Sequence, residues 1–400
     1  MTTPESGGTR GASLAVVFVT VFLDMVGYGI IVPLLPFLAE EYGASALAVG
    51  LLVSLYALMQ MFGGPLLSGF SDRVGRRPVI LICLLGASAA YLMLGLSGSI
   101  VGIMLAVALA GLAGGTPATA QAYIADSTSG ENRARGLGLI GAAFGLGLMV
   151  GPALGGLLSL YAGLSAPALA AAALALANFV FGYFVLRESL LDENRRLVPV
   201  LLLNPVSQVA GVLRVRTIRS LLFVIFLLNL ALAGLITNFP LFAEARFGWG
   251  SSRSSFFFAF VGLCAVFTQG LLVGLLQRRF GEWRMLSGGL LVVTVGLLAV
   301  AVSPAGWLMY PVVGVMALGF GAAIPAVAAL LSRSVPERGQ GRLMGGQQAL
   351  LSSTLILGPP VAGLAFDGVG PGAPYVLGSL LALAAWMVVN SRPHSDLREG

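Results

Sequence analysis

The sequence predicts an all-α membrane protein with twelve transmembrane helices in two pseudo-symmetric six-helix bundles. Of its 400 residues, 58% are hydrophobic and only 10% are charged, whereas soluble domains carry roughly 25% charged residues. The apolar residues form continuous runs of about 20 residues, the length that a helix needs to cross a hydrocarbon layer of about 30 Å. These runs lack the alternating pattern of outer-membrane strands, so the sequence predicts helices.

Twelve apolar runs are separated by polar or charged connections. Each run is expected to be a helix, because in lipid a single segment must satisfy its own backbone hydrogen bonds. In chain order the runs are Ser13–Leu38, Ala46–Phe70, Pro78–Leu96, Ile100–Ile124, Gly136–Tyr161, Ala166–Leu186, Ser220–Ala243, Ser255–Leu276, Met285–Val302, Trp307–Leu331, Met344–Phe366 and Tyr375–Asn390.

The arginines predict the orientation of these helices. All 22 basic residues are arginine, and with a cytoplasmic N-terminus only Arg246 and Arg253 fall in outer loops. The remaining arginines then lie on the cytoplasmic side, as the positive-inside rule requires. We therefore expect both termini in the cytoplasm, and the basic charge does not indicate nucleic-acid binding.

A charged connection at residues 187–219 predicts a cytoplasmic linker between two bundles, residues 13–186 and 220–390, with cytoplasmic tails at 1–12 and 391–400. Internal similarity supports this division. A shift of 206 residues sets Arg73-Val74-Gly75 over Arg279-Phe280-Gly281, and a shift of 207 sets Gly151-Pro152 over Gly358-Pro359. Two parallel six-helix repeats with a site between them are typical of secondary transporters.

Asp24 is an acidic residue near the middle of the first predicted span. A charged side chain at midspan costs roughly 2.5–3.5 kcal/mol on insertion scales, so its presence there indicates a function. Burial disfavours the carboxylate, which allows the side chain to gain and lose a proton as its surroundings change. We predict proton coupling or cation binding at Asp24. The alternative is a permanently neutral side chain that hydrogen-bonds a neighbouring helix.

Several neutral polar residues within the spans are candidates for a substrate cavity. Each would be costly in lipid and is expected to face a cavity or another helix. Tyr56 and Gln60 are four residues apart and therefore share one helix face. A packing hydrogen bond remains the alternative for any one of these candidates, which are Tyr56, Gln60, Gln121, Asn229, Gln269 and Gln347.

The fifth span contains a stripe of small residues. Gly147, Gly151 and Gly155 lie one turn apart, and Pro152 adds a kink. Such a stripe allows close backbone contact between helices. We predict a hinge between the halves, with ordinary small-residue packing as the alternative.

The connection Ser71-Asp72-Arg73-Val74-Gly75-Arg76-Arg77-Pro78 is densely charged between two apolar runs. Charges at this density cannot lie in lipid, so the segment predicts a tight turn outside the membrane. Gly75 allows a backbone bend that a side chain would obstruct, and Pro78 suits the first turn of the next helix.

These segments resemble the major facilitator superfamily and, within it, the twelve-helix drug:proton antiporters. The charged connection is similar to the signature between helices 2 and 3, and Gly147–Gly156 is similar to the helix-5 signature of antiporters. The stretches Leu55–Gln60, Ala122–Asp126 and Glu337–Gly341 further resemble the tetracycline exporters.

The resemblance implies a cytoplasmic gate made by Asp72, Arg73, Arg76 and Asp126. In it Asp72 caps the eleventh helix and Arg76 pairs with Asp126 when the protein opens outward. The sequence departs from the tetracycline exporters at Ala90 and Ala265, where they carry a helix-3 aspartate and a helix-8 histidine, and Val107 stands where antiporters carry a helix-4 arginine.

We therefore expect a proton-driven exporter of small amphiphilic compounds, of the multidrug type, in a bacterial inner membrane. Its expected partners are the substrate, protons and membrane lipid, and it is expected to act as a monomer with no cofactor. The alternatives are a lipid or lysolipid exporter of the same fold, or a sensor or scaffold that transports nothing. No phosphate-binding loop or set of catalytic side chains can be named, so the sequence does not predict an enzyme.

Overall fold

The computed structural model describes residues 7–128, 130–190, 193, 195, 218–335 and 340–391. Over these residues every regular element is a helix and no strand occurs. The helices are α1 Gly7–Ile31, α2 Leu35–Glu40, α3 Ala46–Val74, α4 Arg76–Gly95, α5 Ile100–Leu112, α6 Thr116–Ser127, α7 Gly130–Ala162, α8 Ala166–Val185, α9 Arg219–Phe247, α10 Ser251–Phe267, α11 Val273–Val302, α12 Met309–Arg333, α13 Gln340–Val369 and α14 Ala373–Asn390.

Eleven helical segments of the described residues are long and apolar enough to cross a membrane. One of them, Ser251–Val302, has 52 residues, which is more than twice the length that one crossing needs. Gly281 interrupts it with a φ of 73° and a ψ of 165°. The predicted eighth and ninth spans meet at this bend, so the helical fold class and the count of twelve are confirmed.

Two predicted spans are broken. The first run contains α1 and α2 with a turn at residues 32–34, and the fourth contains α5 and α6 with a turn at residues 113–115. Each of these two spans therefore consists of two helical segments. Pro33 lies in the first of these turns, and Pro117 lies in the first turn of α6, where its missing N–H costs nothing.

The chain divides into two compact units, and unit 1 comprises Met1–Leu38 and Leu55–Leu203. Within it α1 packs against α7 and α8, and α4 packs against α5 and α8. Aliphatic and aromatic side chains of α1, α4, α6 and α7 form the core, with Val17, Leu84, Tyr123 and Ala143 among its most buried members.

Unit 2 comprises Ala39–Ser54 and Asn204–Gly400. Within it α9 packs against α13 and α14, and α11 packs against α12 and α14. Its core includes an aromatic cluster in which the rings of Phe239 and Phe257 stack with centroids 4.4 Å apart. The predicted division into bundles 13–186 and 220–390 stays a prediction, and most of the predicted linker lies outside the described residues.

Candidate functional site

Asp24 lies in α1 and is half-buried. Its carboxyl group lies near the side-chain hydroxyl of Thr116, the first residue of α6. Thr116 is only 2% exposed. The break between α5 and α6 therefore has a direct consequence for the site, because it brings a helix N-terminus and its hydroxyl group to the midspan carboxyl. A helix N-terminus favours negative charge.

Small residues make this break possible. A Cβ atom added at Gly115 would lie 2.8 Å from the Cβ of Leu67 and 3.1 Å from the Sγ of Cys83. A Cβ atom added at Gly114 would lie 2.9 Å from the amide nitrogen of Gln60. Glycine at these positions therefore lets the turn approach α3 and α4 closely.

Two tyrosines of unit 1 lie near Asp24, and a third packs against one of them. Tyr56 and Tyr91 both lie within electrostatic range of the Asp24 carboxyl. The ring centroids of Tyr28 and Tyr56 are 5.6 Å apart, and the amide of Gln60 donates a hydrogen bond of 3.3 Å to the Tyr56 hydroxyl. The predicted pair Tyr56 and Gln60 thus lies beside the predicted coupling residue. Tyr28 and Tyr91 were not among the predicted site residues.

The glycine stripe of α7 packs against α1 within unit 1. A Cβ atom added at Gly147 would lie 2.5 Å from the Cβ of Met25, and one added at Gly151 would lie 2.6 Å from the carbonyl oxygen of Val26. One added at Gly155 would lie 3.0 Å from the carbonyl oxygen of Ile30. The small residues therefore allow α7 to touch the backbone of the helix that carries Asp24. This contact accounts for the stripe as close packing, while a hinge at Gly147, Gly151, Pro152 and Gly155 stays a prediction.

The other predicted cavity residues lie in differing surroundings. Gln121 and Gln269 are exposed and Gln347 is half-buried. Gln269 lies in a π-helical segment at residues 268–272. The amide of Asn229 donates to the carbonyl oxygen of Ile225, 2.8 Å away in the same helix, which agrees with the packing alternative. A substrate role for these four residues stays a prediction.

A charged cluster lies at the junction of α3 and α4. The guanidinium group of Arg76 contacts the carboxylates of Asp72 and Asp126 at 2.5 Å and 2.8 Å, and it also donates to the Ser71 hydroxyl at 2.6 Å. Its side chain is only 7% exposed. A buried guanidinium with two carboxylate partners is fully paired, which is the arrangement that makes a buried charge tolerable. Arg73 is exposed.

Glu188, which follows α8, fixes the start of α4 and was not predicted from the sequence. Its two carboxylate oxygens accept hydrogen bonds from the backbone N–H groups of Arg76 and Arg77 at 2.8 Å and 3.2 Å. Gly75 has a φ of 110°, and a Cβ atom there would collide with the Glu188 carboxylate. The predicted bend at Gly75 is therefore present. The structure adds a second reason for glycine at this position, because a side chain would collide with the Glu188 carboxylate.

A cluster of inverted charge occupies the corresponding place in unit 2. Gly281 aligns with Gly75 in the internal repeat, and both have positive φ and extended ψ. The residue after Gly281 is Glu282, whose carboxylate contacts Arg333 at 2.7 Å and the amide of Gln277 at 3.0 Å. Glu282 therefore occupies the position that Arg76 has in unit 1, and it pairs with an arginine instead of a carboxylate.

The site can bind and release a proton or a cation at one carboxyl group lined by tyrosines. It offers a hydroxyl donor to the charged form, and ring faces that attract organic cations. In the part of the chain that the structure describes, no group of three or more His, Cys, Asp or Glu side chains could hold a metal ion.

Comparison with known proteins identifies relatives along nearly the whole chain. The family model of the Major Facilitator Superfamily matches residues 17–320 and 270–399. The class C tetracycline resistance protein of Escherichia coli is 38% identical over 350 residues, which cover 87% of this chain and 88% of that protein. Multidrug resistance protein 2 of Bacillus subtilis (strain 168) is 29% identical over 357 residues, which cover 87% of each protein.

A solved structure shows the same fold. A variant of the nucleoside transporter NupG superposes with a TM-score of 0.81 and 12% sequence identity, over 94% of this chain and 99% of that one. At this identity the likeness concerns the fold alone.

Proposed function

This chain belongs to the major facilitator superfamily, and we propose that it exports small amphiphilic compounds in exchange for protons by alternating access. Relatives named for tetracycline and multidrug resistance support drug export as the class of function. Proton exchange is supported by the position of Asp24. The protein is a multi-pass membrane protein with bacterial relatives, and we place it in the inner membrane as a monomer.

One observation supports proton exchange above the others. The Asp24 carboxyl is half-buried in a membrane-spanning helix, and the Thr116 hydroxyl, Tyr56 and Tyr91 lie near it within its own unit. A carboxyl that was locked by an arginine could not exchange protons, whereas this one is held by a neutral hydroxyl. It can therefore be charged or neutral without leaving a buried cation unpaired.

The chemistry of the site favours competition between a proton and a lipophilic cation. A cationic substrate pairs with the Asp24 carboxylate and lies against the faces of Tyr28, Tyr56 and Tyr91. Protonation of the carboxyl removes the pairing and releases the substrate. A substrate that binds one orientation better shifts the population toward it, by no more than the difference in affinity.

The Arg76 cluster serves as part of the gate on the predicted cytoplasmic side. It holds the end of α3 and the end of α6 to the start of α4 through one guanidinium group. Because α6 also carries Thr116, a movement of this cluster is transmitted along α6 to the surroundings of the Asp24 carboxyl.

Transport in proteoliposomes tests the proposal. The wild type should accumulate a fluorescent lipophilic cation when a pH gradient is imposed, and Asp24→Asn should lose this dependence because the amide cannot release a proton. Thermal unfolding of both purified proteins establishes that the variant folds. Gradient-dependent transport by Asp24→Asn at the wild-type rate would reject proton exchange at this residue.

The same assay distinguishes a lysolipid exporter and a non-transporting sensor from a proton-driven exporter. Flux of a neutral lysolipid in both proteins, unaffected by the gradient, would point to a lipid exporter. No flux of any probe in the wild type would point to a sensor or scaffold.

A further inference from the structure

Three polar side chains are buried inside unit 1, on α8 and on the two helices that carry Asp24 and Thr116. They are Thr20 of α1, Thr119 of α6 and Asn178 of α8, and each is at most 1% exposed. All three lie in membrane-spanning helices, where lipid cannot complete their hydrogen bonds. We call these three residues the interior polar cluster.

Each member of the interior polar cluster has a polar atom that finds no hydrogen-bond partner in the part of the chain that the structure describes. These atoms are the hydroxyl oxygens of Thr20 and Thr119 and the amide oxygen of Asn178. The amide nitrogen of Asn178 donates to the carbonyl oxygen of Thr20 at 2.8 Å, which joins α8 to α1. A buried polar atom without a partner costs about 1–3 kcal/mol, so three such atoms in one unit indicate a bound partner.

Helix periodicity places Thr119 at the level of Thr20. Thr20 precedes Asp24 by four residues in α1, and the two therefore share a helix face. Thr119 follows Thr116 by three residues in α6 and shares its face in the same way. These helices belong to the first and fourth predicted spans, which cross the membrane in opposite directions. Because Asp24 and Thr116 lie near each other, the next turn toward the predicted cytoplasmic side brings Thr20 and Thr119 to one level.

Asn178 is a polar residue on a face of α8 that otherwise has small side chains. The other buried residues of this helix are proline, alanine and glycine, at Pro167, Ala168, Ala171, Ala172, Ala175 and Gly182. An apolar side chain at position 178 would fill the bundle interior without leaving an amide oxygen unpaired. Packing alone therefore does not account for the asparagine.

Water is the ligand that fits the interior polar cluster. Its hydroxyl and amide groups are neutral, so they offer no charge to pair with an ion, and their full burial leaves no access for an organic substrate. A buried water molecule makes about three hydrogen bonds, and three polar atoms are unpaired here. A threonine hydroxyl both donates and accepts a hydrogen bond, so it can pass a proton from one water molecule to the next.

We propose that the interior polar cluster binds water and conducts protons from Asp24 toward the predicted cytoplasmic side, an inference that rests on the proton exchange proposed above. The O–H bond of the Asp24 carboxyl breaks and its proton joins the first water molecule. Each oxygen along the route accepts one proton and gives up another, so the Asp24 carboxylate is the only charge left behind. Tyr123, one turn beyond Thr119 in α6, carries the next hydroxyl in this direction.

This route separates the proton from the substrate. A cationic substrate approaches the Asp24 carboxylate through the cavity, while the proton that it displaces leaves through the interior of unit 1. The cation and the proton therefore do not have to pass each other.

Hydroxyl-radical footprinting of the full-length protein in detergent tests for the water. An X-ray pulse makes radicals from water, so a fully buried side chain is oxidised only where bound water lies beside it. Cys83 is the probe, because it is 0% exposed and its Sγ would lie 3.1 Å from a Cβ atom at Gly115, before Thr116. We expect oxidation of Cys83 in the wild type and a severalfold loss in the double variant Thr20→Val/Thr119→Val. Cys264 of unit 2 is half-buried and should be oxidised equally in both proteins.

Stopped-flow measurement of proton release on addition of tetraphenylphosphonium tests the route. Thr20→Val and Thr119→Val should each slow the release severalfold. The affinity for tetraphenylphosphonium and the number of protons released should stay unchanged, because the interior polar cluster does not touch the substrate. Thr119→Ser keeps a hydroxyl and should restore most of the rate.

Ser88→Ala is the matched control within unit 1. The Ser88 hydroxyl is also buried, but it already donates to the carbonyl oxygen of Ala172 at 2.9 Å. Its removal should therefore leave the rate of proton release at the wild-type value.

Proton release at the wild-type rate by both valine variants would overturn the route, as would a loss of affinity as large as the loss of rate. Equal oxidation of Cys83 in the wild type and the double variant would overturn the water site. If the double variant does not fold, the two single variants decide. Loss of Cys83 oxidation in the variants, combined with no proton release by the wild type, would reject proton exchange at Asp24 and leave the water site standing.

Discussion

Thr116 is the neutral partner that keeps the Asp24 carboxyl in place. Its side chain is buried and lies near that carboxyl at the N-terminus of α6. We predict that Thr116→Val slows proton-driven transport severalfold, because the carboxyl loses a neighbouring hydroxyl group that can donate to its charged form. Thr116→Ser keeps the hydroxyl and should restore most of the rate. Equal transport by the valine and serine variants in proteoliposomes would show that this bond has no part in the cycle.

Glu188 stabilises unit 1 through the backbone of α4. Its carboxylate accepts hydrogen bonds from the N–H groups of Arg76 and Arg77 at the start of that helix. Loss of a helix cap costs about 1 kcal/mol, so Glu188→Ala should lower the unfolding temperature of the purified protein. Glu41→Ala, which removes an exposed carboxylate, is the control and should have little effect. Equal unfolding temperatures for the two variants would contradict the capping role.

Glu40 makes the stability of the protein depend on pH near neutrality. Partial removal of water from this exposed side chain and the neighbouring carboxyl of Glu244 raise the pKa of Glu40 from 4.5 to about 7. The folded state therefore binds a proton more tightly than the unfolded state, so this group stabilises the fold below pH 4.5. That contribution is lost as the pH rises through 7. We predict that the unfolding temperature falls between pH 5 and pH 8 by less in Glu244→Gln than in the wild type.

Glu41→Gln serves as the control for this pH dependence, since it changes the adjacent carboxyl but leaves the pair intact. An identical fall in unfolding temperature for the wild type and Glu244→Gln would show that the two carboxyls do not interact.

At the scale of the helices, the contact between α1 and α7 positions the coupling residue. Gly151→Ala would place a Cβ atom 2.6 Å from the Val26 carbonyl oxygen, so α7 must move away from α1. Overpacking of this kind costs about 1–3 kcal/mol. Gly141→Ala lies in the same helix with no atom within 4 Å and should be neutral. Titration with sodium dodecyl sulfate measures the difference in stability, and equal midpoints would contradict the contact.

The sequence predicted the helices well because run length alone decides whether a segment can cross a membrane. It did not predict the two breaks. Glycine and proline are common in membrane helices, so Pro33 and Pro117 gave no clear signal on their own. The break before Thr116 depends on the fit of Gly114 and Gly115 between neighbouring helices, which no local pattern records.

The candidate site was predicted in part for similar reasons. Asp24 is conspicuous because a midspan carboxyl is costly, and Tyr56 and Gln60 share its surroundings. Glu188 was missed because its partners are backbone N–H groups more than 100 residues away along the chain. Tyr91 and Thr116 were missed because tyrosine and threonine are ordinary in apolar helices until their neighbours are known.

At the scale of the whole molecule, the internal repeat of the sequence is accompanied by a repeat in backbone conformation. Gly75 and Gly281 have the same unusual backbone conformation at equivalent positions of two halves. The charges that follow them are reversed, as Arg76 in one unit and Glu282 in the other. The two halves therefore share a scaffold while their charged clusters have diverged, and only unit 1 has an acidic residue at the midspan position of Asp24, since Asn229 stands there in unit 2.

The central claim is that a proton and a cationic substrate exchange at Asp24, and proton release on binding tests it most directly. Tetraphenylphosphonium is added to purified protein in weakly buffered detergent near neutral pH, and the released protons are measured with a pH indicator. The account predicts that the wild type releases protons as the site fills, and that Asp24→Asn, which mimics the protonated state, binds the cation more weakly and releases no protons. Equal proton release by the two proteins, or binding to the wild type without any release, would contradict it.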